Sequence, residues 1–447
     1  MNIILKIAKE NDFEELQKIQ SRAFSLNINF LLEHNKNISL SSPLEIKKKY
    51  SNMIFFKIVD DNGIQGGAYV RKLNETTCEI YRIFIDLVMQ HHGYGHKIID
   101  GIIDKFQECT KFVLVTPLEL SKNLCFYESC GFLSKGLKEE NDLKLLIYEK
   151  SIERNAVTGL RPSRGGLHLG HWIGNIEPML LHQNDYNCTF ILADLQALNS
   201  NKEDYNLKTM YENMHFMLKQ LFALGINPNK INIVIESKIK KTMLKEFLQL
   251  SNYISLNRVL KLPNFKNKLN KESIKVSTLN YPILQALDLI KTNANIIFSN
   301  IDNKANLELI NEIFEKNLKI KSVKLITGVT EMLIGIDGKK MCKANNNCIF
   351  FTDDNEVIRR KVNSMYTDCN RITIDTPGNL DNNIVFKYLQ IFASKDIYED
   401  LSEKYVKGKI GDLETKQILT EILIRKLEEY RASFNQIDDA MVDYYLK

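Results

Sequence analysis

The sequence predicts an α/β protein made of two units, and three observations carry that expectation. At 447 residues the chain is too long for one ordinary domain and long enough to bury sizeable cores. Its first third holds three β-rich runs, the first two joined by a tight turn. Two separate stretches, QHHGYGHK (90–97) and RPSRGGLHLGHWIG (161–174), each pass from a strand through a glycine-rich loop into a helix. Such a loop aims unpaired backbone N–H groups outward at the positive end of a helix dipole, where an anion can sit. Two of them imply two active sites on one chain.

Composition narrows the classes. The 44% apolar content is that of a soluble globular protein, and 60 basic against 55 acidic residues leave +5, which permits a nucleic-acid partner without demanding one. Cys78, Cys109, Cys125, Cys130, Cys188, Cys342, Cys348 and Cys369 are scattered. They form no CxxC pair and have no histidines at ligand spacing, so neither a zinc site nor a disulfide framework is expected. MNIILKIAKENDFEE reaches acidic residues after a short apolar run, unlike a secretory signal or a membrane span. The expectation is a cytoplasmic protein with reduced thiols and with neither membrane nor DNA as partner.

In the first unit IILKIAK (3–9) reads as a strand, Asn11 or Asp12 as a cap, and FEELQKIQSRAF (13–24) as an amphipathic helix. MIFFKIVD, GGAYVRKL and TCEIYRIFID read as an antiparallel meander, with DNG (61–63) as the hairpin turn. The loop at 90–95 and the helix HKIIDGIIDKF follow. Next come the strand KFVLVTP (111–117), the segment SKNLCFYESCGF (121–132) and a closing strand LKLLIYEK. A QxxGxG loop alone is often only a turn. In this order the elements resemble the GCN5-related N-acetyltransferase (GNAT) family over almost all of residues 1–152.

The resemblance implies an acetyl-CoA site in which Gln90, Gly93, Tyr94 and Gly95 cradle the pyrophosphate, Asn123 touches the cofactor and Tyr127 protonates the departing thiolate. Amine acetylation needs a neutral nitrogen and hence a base. Glu79 is a candidate, against the alternative of a solvated strand carboxylate; Tyr127 reads equally as a core aromatic. His91, His92 and His96 read as surface residues at the helix mouth.

After SIERNA, which contains no Pro/Gly/Ser-rich tether, NAVTGL reads as a strand and HLGHWIGNIEPMLL as a helix. His168 and His171, three apart, share one face of its first turn. The tetrapeptide alone would suit a metal pair or a core pair. Its flanks, TGLRPSRGGLHLGHWIGN, resemble the first signature of class I aminoacyl-tRNA synthetases, in the form found in the tryptophanyl-tRNA synthetase family. ILADLQALNS (191–200) is similar to that family's ADLHALT, and LFALGINPNKINIVIES (221–237) to its AxGLDPxKxxxxxQS. RVLKLPNFKNK (258–268), YPILQALDLI (281–290, against YPVLMAADIL) and IRRKVNSMYTD (358–368) continue the likeness in order. DGKKMCKANNN stands where the family has KMSKS, and the helices after it resemble the anticodon-recognising bundle.

The implied architecture is a GNAT α/β fold at 1–152, a class I synthetase Rossmann-like parallel-sheet domain at 153–345 and a C-terminal helical domain at 346–447. The implied substrates are ATP with Mg²⁺, tryptophan and tRNA, and the implied assembly is a homodimer. His168, His171, Lys340 and Lys343 would stabilise the in-line displacement. Arg161, Ser163, Gly170, Asp302 and Met341 would hold ATP, and Tyr281, Gln285, Asp288 and Asn303 would hold tryptophan, with Asp288 accepting the indole N–H.

Several residues depart from the pattern. Arg164 is one residue extra in the first loop, Cys342 and Ala344 replace both serines of KMSKS, and PVGxDQ becomes Phe298-Ser299-Asn300-Ile301-Asp302-Asn303. Two functional expectations stand beside each other: a tryptophan–tRNA ligase fused to an acetyltransferase acting on a tryptophanyl product or an adenylate-mimicking inhibitor, and a paralogue that senses or activates an amino acid without charging tRNA.

Overall fold

The computed structural model describes residues 3–25, 41–90, 92–140, 143–199, 206–240, 242–266, 275–328, 330, 332–368, 371, 373–381 and 383–447. His91, Ser200, Cys369 and residues 267–268 of the basic segment lie outside them. The chain divides into two compact units, Met1–Arg154 and Asn155–Lys447.

The first unit is built on a seven-stranded sheet in the order β1-β2-β3-β4-β5-β7-β6. Its strands are β1 (Ile4–Ile7), β2 (Ile54–Asp60), β3 (Gly63–Lys72), β4 (Thr77–Ile85), β5 (Lys111–Pro117), β6 (Leu133–Glu140) and β7 (Leu143–Ser151). Alternation along β2 sends Phe55 to one face and Phe56 to the other. Phe55 joins Phe13, Leu16 and Ile19 of the helix Phe13–Phe24, and Phe56 joins Ile98, Ile99 and Ile102 of the helix Tyr94–Lys105. Each helix thus buries its apolar stripe against an opposite side of one sheet. β6, LSKGLKEE, is exposed along nearly its whole length and shows no alternation. Its pairing with β7, through a bulge between Ser134 and Gly136, makes it a strand that the sequence pattern does not announce.

All pairings are antiparallel except that of β4 with β5, which is parallel and covers only Thr77–Glu79 against Lys111–Val113. Beyond Glu79 the two strands leave the ladder. The ends that part are those leading to residues 86–93 on one side and to the helix Ser121–Ser129 on the other.

The second unit holds a parallel sheet in the order β10-β9-β8-β11-β12, formed by β8 (Asn155–Leu160), β9 (Asn187–Leu192), β10 (Ile231–Ile235), β11 (Ile296–Phe298) and β12 (Lys324–Ile326). Sequential strands run outward from β8 to β10, and the chain then returns to add β11 and β12 on the other side of β8. In such a sheet the crevice beyond the carboxyl ends of β8 and β11 is where a ligand fits. The helices after residue 346 share the core of this unit: Tyr388, Leu419 and Tyr430 pack in one cluster with Ile176, Met217 and Phe190. Lys219 pairs with Asp439 at 2.6 Å and Tyr211 donates to Asp443 at 2.7 Å. Among the described residues no helix is long and apolar enough to cross a membrane.

Candidate active sites

In the first unit Gly93 takes φ 74° and starts the helix Tyr94–Lys105. This left-handed conformation suits glycine and turns the first N–H groups of the helix outward. No acidic side chain lies in that first turn and none caps it. Gln90 Nε2 donates to the carbonyl of Ile85 at 3.1 Å, fastening the loop to the end of β4. Tyr94 is buried, so what it can offer an anion is its backbone N–H. The tightest constraint on Gly95 comes from elsewhere: a Cβ there would lie 2.6 Å from the ring of Phe126. Helix packing, rather than room for a phosphate, demands this glycine.

Asn123 Nδ2 contacts Thr116 Oγ1 on β5 at 3.4 Å. Tyr127 stands half-buried among the rings of Phe126, Phe132 and Tyr148, and burial pushes its phenol up to about 12, with the Cys130 thiol adding to the shift. It is therefore a neutral O–H at physiological pH. Glu79 is held in an ion pair by Arg71, whose guanidinium also covers the ring of Tyr50 at 3.9 Å. Glu79 is thus an ion-paired strand carboxylate, not a solvated one. His92 and His96 are exposed, bonded to the Gln90 carbonyl and to Ser129.

In the second unit a small cavity opens at the switch point. Thr158 and Gly159 of β8, Ala193 and Gln196 after β9, and Ser299 and Asn303 after β11 line it together with Tyr281, Gln285 and Asp288. The last three come from the helix Tyr281–Lys291 at a spacing of four and three residues, which puts them on one face. Thr158 Oγ1 donates to the Phe298 carbonyl at 2.7 Å and receives Asn175 Nδ2 at 3.0 Å, locking β8 to β11 at the cavity floor. Asn175 belongs to a π turn, Trp172–Ile176, inside the helical segment that begins at Leu169. Gln285 Oε1 accepts from Asn306, and burial raises the phenol of Tyr281. Phe298 directs its ring into the core, stacked on His182 at 5.8 Å, and Asn300 occupies the space above Gly174.

Asp288 is 5% exposed. Its Oδ2 accepts from Gln196 Nε2 at 2.7 Å and its Oδ1 lies 2.7 Å from Lys240 Nζ. The ammonium is close enough for an ion pair, and among the described residues Oδ1 has no other partner. Burial and the neighbouring Glu236 raise the Asp288 carboxyl to about 7, opposed by Lys240 and Gln196. Gln196, Glu236 and Lys240 escaped the sequence reading. Gln196 stands in the quoted ADLQALN segment, where the family's ADLHALT has histidine, and Glu236 stands where its QS has glutamine. Lys240 sits in KIKK, which by pattern alone reads as a solvated face.

The two signature loops meet beside this cavity. Residues 167–169 pair with 349–351: Leu169 N donates to the Ile349 carbonyl at 3.0 Å and Phe351 N to that of Leu167 at 3.1 Å. Asn347, buried, accepts from Cys342 N at 2.7 Å and donates to the Lys340 carbonyl at 3.0 Å, so it shapes the KMCKA loop from within. Met341 is buried against Gly170; a Cβ on that glycine would lie 3.0 Å from Met341 Sδ. The room at Gly170 is filled by the second signature, a role additional to the approach of ATP expected from sequence.

His168 and His171 stack with ring centroids 3.6 Å apart. His171 Nδ1 accepts from the His168 backbone N–H at 3.4 Å, which assigns its proton to Nε2. Burial first and the Lys343 charge second lower His168 to about 3, and the same causes with His168 and Arg161 hold His171 well below its ordinary value. The pair is therefore neutral, contributing one N–H per ring. Lys343, lowered to about 8 chiefly by burial, donates to Ser163 Oγ at 2.8 Å, to the Gly166 carbonyl at 2.5 Å and to that of Arg164 at 3.2 Å. Lys340 pairs with Asp302. Both signature lysines are thus engaged by protein acceptors, and the extra residue Arg164 supplies one of them. The site nonetheless gathers Lys343 and Arg161 around neutral imidazoles. An entering polyphosphate would reverse the sign of that local potential and favour protonated rings.

Residues 151–428 match the family model of tRNA synthetases class I (W and Y), and residues 13–132 match the acetyltransferase (GNAT) family. A tryptophan–tRNA ligase of Chlamydia caviae is 35% identical over 293 residues, covering 62% of this chain and 84% of the relative. One of Borreliella burgdorferi is 35% identical over 274 residues, covering 59% and 78%. Among solved structures, tryptophanyl-tRNA synthetase of Campylobacter jejuni complexed with ADP and tryptophan has a TM-score of 0.53 at 22% identity, covering 65% of this chain and 92% of that one. The Mycoplasma pneumoniae enzyme has a TM-score of 0.56 at 22% identity, covering 66% and 91%. At these identities the solved structures speak to the fold.

Proposed function

We propose, from the premise that this chain belongs to the class I tRNA synthetases (W and Y) and carries a GNAT-family acetyltransferase domain, that its second unit is a tryptophan–tRNA ligase and its first acetylates an amine with acetyl-CoA. The carrying observation is the cavity at the carboxyl ends of β8 and β11. Asp288 lines it beside Tyr281, Gln285 and Asn303, its buried carboxylate held by Gln196 and Lys240. An indole N–H is donor-only and would find its acceptor in that carboxylate, whereas a phenyl ring offers no donor.

In the proposed reaction the tryptophan carboxylate attacks the α-phosphorus of ATP and pyrophosphate leaves. His168 and His171 donate to phosphate oxygens, Lys340 and Lys343 exchange their protein acceptors for phosphate, and Asp302, released from Lys340, takes the ribose. Arg161, Ser163, Gly170 and Met341 line the ATP path. Mg²⁺ would neutralise phosphate charge. The acyl group then passes to the tRNA terminal ribose, in a cytoplasmic homodimer as the family resemblance implies. ATP–pyrophosphate exchange across the standard amino acids tests this: exchange with tryptophan supports it, and its absence refutes it. A second reading, a paralogue that binds tryptophan or tRNA without charging, draws on the engagement of both signature lysines; it expects binding without exchange.

In the first unit Gln90, Gly93, Tyr94 and Gly95 would hold the acetyl-CoA pyrophosphate on the open helix terminus, Asn123 would touch the cofactor, and the neutral Tyr127 would protonate the thiolate. For the acceptor we favour an α-amino group of a tryptophanyl product or of an adenylate-mimicking inhibitor. Only three residues separate β7 from β8, and covalent tethering raises the local concentration of one site's product at the other. Incubation with labelled acetyl-CoA, tryptophan, ATP and tRNA should place label on a tryptophan derivative; label confined to unrelated amines would separate the two activities.

A further inference from the structure

A buried ion network lies under the tryptophan cavity. Glu236 is fully buried, Lys240 is 7% exposed, and both flank Asp288. The Lys240 ammonium donates to Glu236 Oε1 at 2.5 Å and to the Leu284 carbonyl at 2.8 Å, and its remaining side faces Asp288 Oδ1 at 2.7 Å. Glu236 Oε2 in turn accepts from the backbone N–H of Gln196, whose side chain holds Asp288 Oδ2. One cation therefore stands between two carboxylates contributed by two different helical segments, and both Lys240 and Gln196 reach the residue assigned to the indole.

We propose that Lys240 is a positioning residue for side-chain selection, favouring the ionised form of the Asp288 carboxylate and fixing its orientation so that the carboxylate meets the substrate's ring N–H. This rests on the tryptophan reading above and adds to it the residue that makes Asp288 usable. The argument is one of charge balance in a dry site. Two buried carboxylates within reach of each other cannot both ionise without a cation. Remove Lys240 and one of them takes a proton. A protonated Asp288 can present O–H to the indole N–H, donor against donor, where an ionised oxygen would make a charge-assisted bond. The groups that face Asp288 are Glu236, Lys240 and Gln196, with Tyr281 on its own helix and Asp194 next to Glu236.

The test compares the wild-type full chain with Lys240→Met and with Lys240→Met/Glu236→Gln, the second variant removing the excess carboxylate. Tryptophan-dependent ATP–pyrophosphate exchange is measured from about pH 6 to about pH 9, bracketing the raised carboxyl. For Lys240→Met the KM for tryptophan should rise on the order of tenfold or more at neutral pH, the worth of one hydrogen bond to a charged group. Its KM for ATP and its kcat should stay within about twofold, and the tryptophan KM should recover as pH rises, because its acid limb has moved upward. The double variant should regain most of the lost affinity. A tryptophan KM unchanged in Lys240→Met, or a loss equally large and pH-independent in the double variant, overturns the inference; the latter would mark a packing defect. Should the wild type show no exchange, the ligase reading fails instead, and equilibrium dialysis of labelled tryptophan with the same three proteins reads the same shift in affinity. Failure of the wild type to bind tryptophan removes both.

Discussion

The loop at 90–97 and the loop at 161–174 begin with the same local device and end differently. Each uses left-handed glycines, Gly93 in one and Gly165 and Gly166 in the other, to turn a chain leaving a strand into a helix N-terminus. The first stays open: Gly93 has no atom within 4 Å of a would-be Cβ, and no acidic side chain lies in the first helical turn. The second is closed over by a distant segment. Met341 packs on Gly170, Lys343 binds three oxygens of the loop, and Gly166 lies against Gln220. A helix terminus alone suffices to hold a pyrophosphate that does not react. A phosphate that must react needs, in addition, cations and donors in a site shielded from water.

That contrast can be tested by substitution. The largest effect should come from His171→Ala, which removes a donor from the enclosed loop. Tryptophan-dependent exchange should fall by a factor on the order of 10²–10³, while thiol release from acetyl-CoA in the first unit stays as it was. A fall of only a fewfold would mean that the enclosure does not serve the chemistry.

Glycine-to-alanine changes sharpen the comparison further. Gly166→Ala combines a φ of 69° with a Cβ 2.4 Å from Gln220 Oε1, an atom already holding the Leu167 N–H at 2.8 Å. A loss of about 2–4 kcal/mol is expected from strain and overpacking together. Gly93→Ala meets open space and should cost only the left-handed strain, about 1–2 kcal/mol. Denaturant titration of both reads the difference, and equal losses would show that the second loop is not held as tightly as its contacts imply.

The next effect is a pH slope. His168 and His171 have folded-state values below those of the unfolded chain, so the unfolded state binds more protons and stability falls as pH drops below about 6.5, the unfolded value. At most about 1.4 kcal/mol per pH unit is at stake for each fully depressed ring. His168→Asn should flatten the thermal-melting profile between about pH 6.5 and about pH 4. An unchanged profile in His168→Asn would argue that the imidazole is not held neutral.

Much of this was readable in the sequence. The meander β2–β4, the strand β8 and the helix Tyr281–Lys291 follow from alternation, turn residues and helical spacing, all properties of residues a few positions apart. Tyr281, Gln285, Asp288 and Asn303 could be assigned to one pocket by resemblance, and they line one cavity. β6 could not be read, because LSKGLKEE acquires its pairing only from β7. Gly95 and Gly170 were noticed for their freedom near a ligand, whereas the structure shows Phe126 and Met341 filling the space beside them.

By itself, then, the sequence determined the class of each unit, the two anion-ready loops and the residues that carry family chemistry, since these depend on local spacing and residue type. The tertiary structure alone decided their electrical state. Lys240 reached Asp288 from 48 positions away, Lys343 reached Ser163 from 180, and the imidazoles became neutral because burial removed their water. Charge in a protein is set by whatever the fold brings within a few ångströms and by how much solvent it excludes, and neither quantity is a property of neighbouring residues.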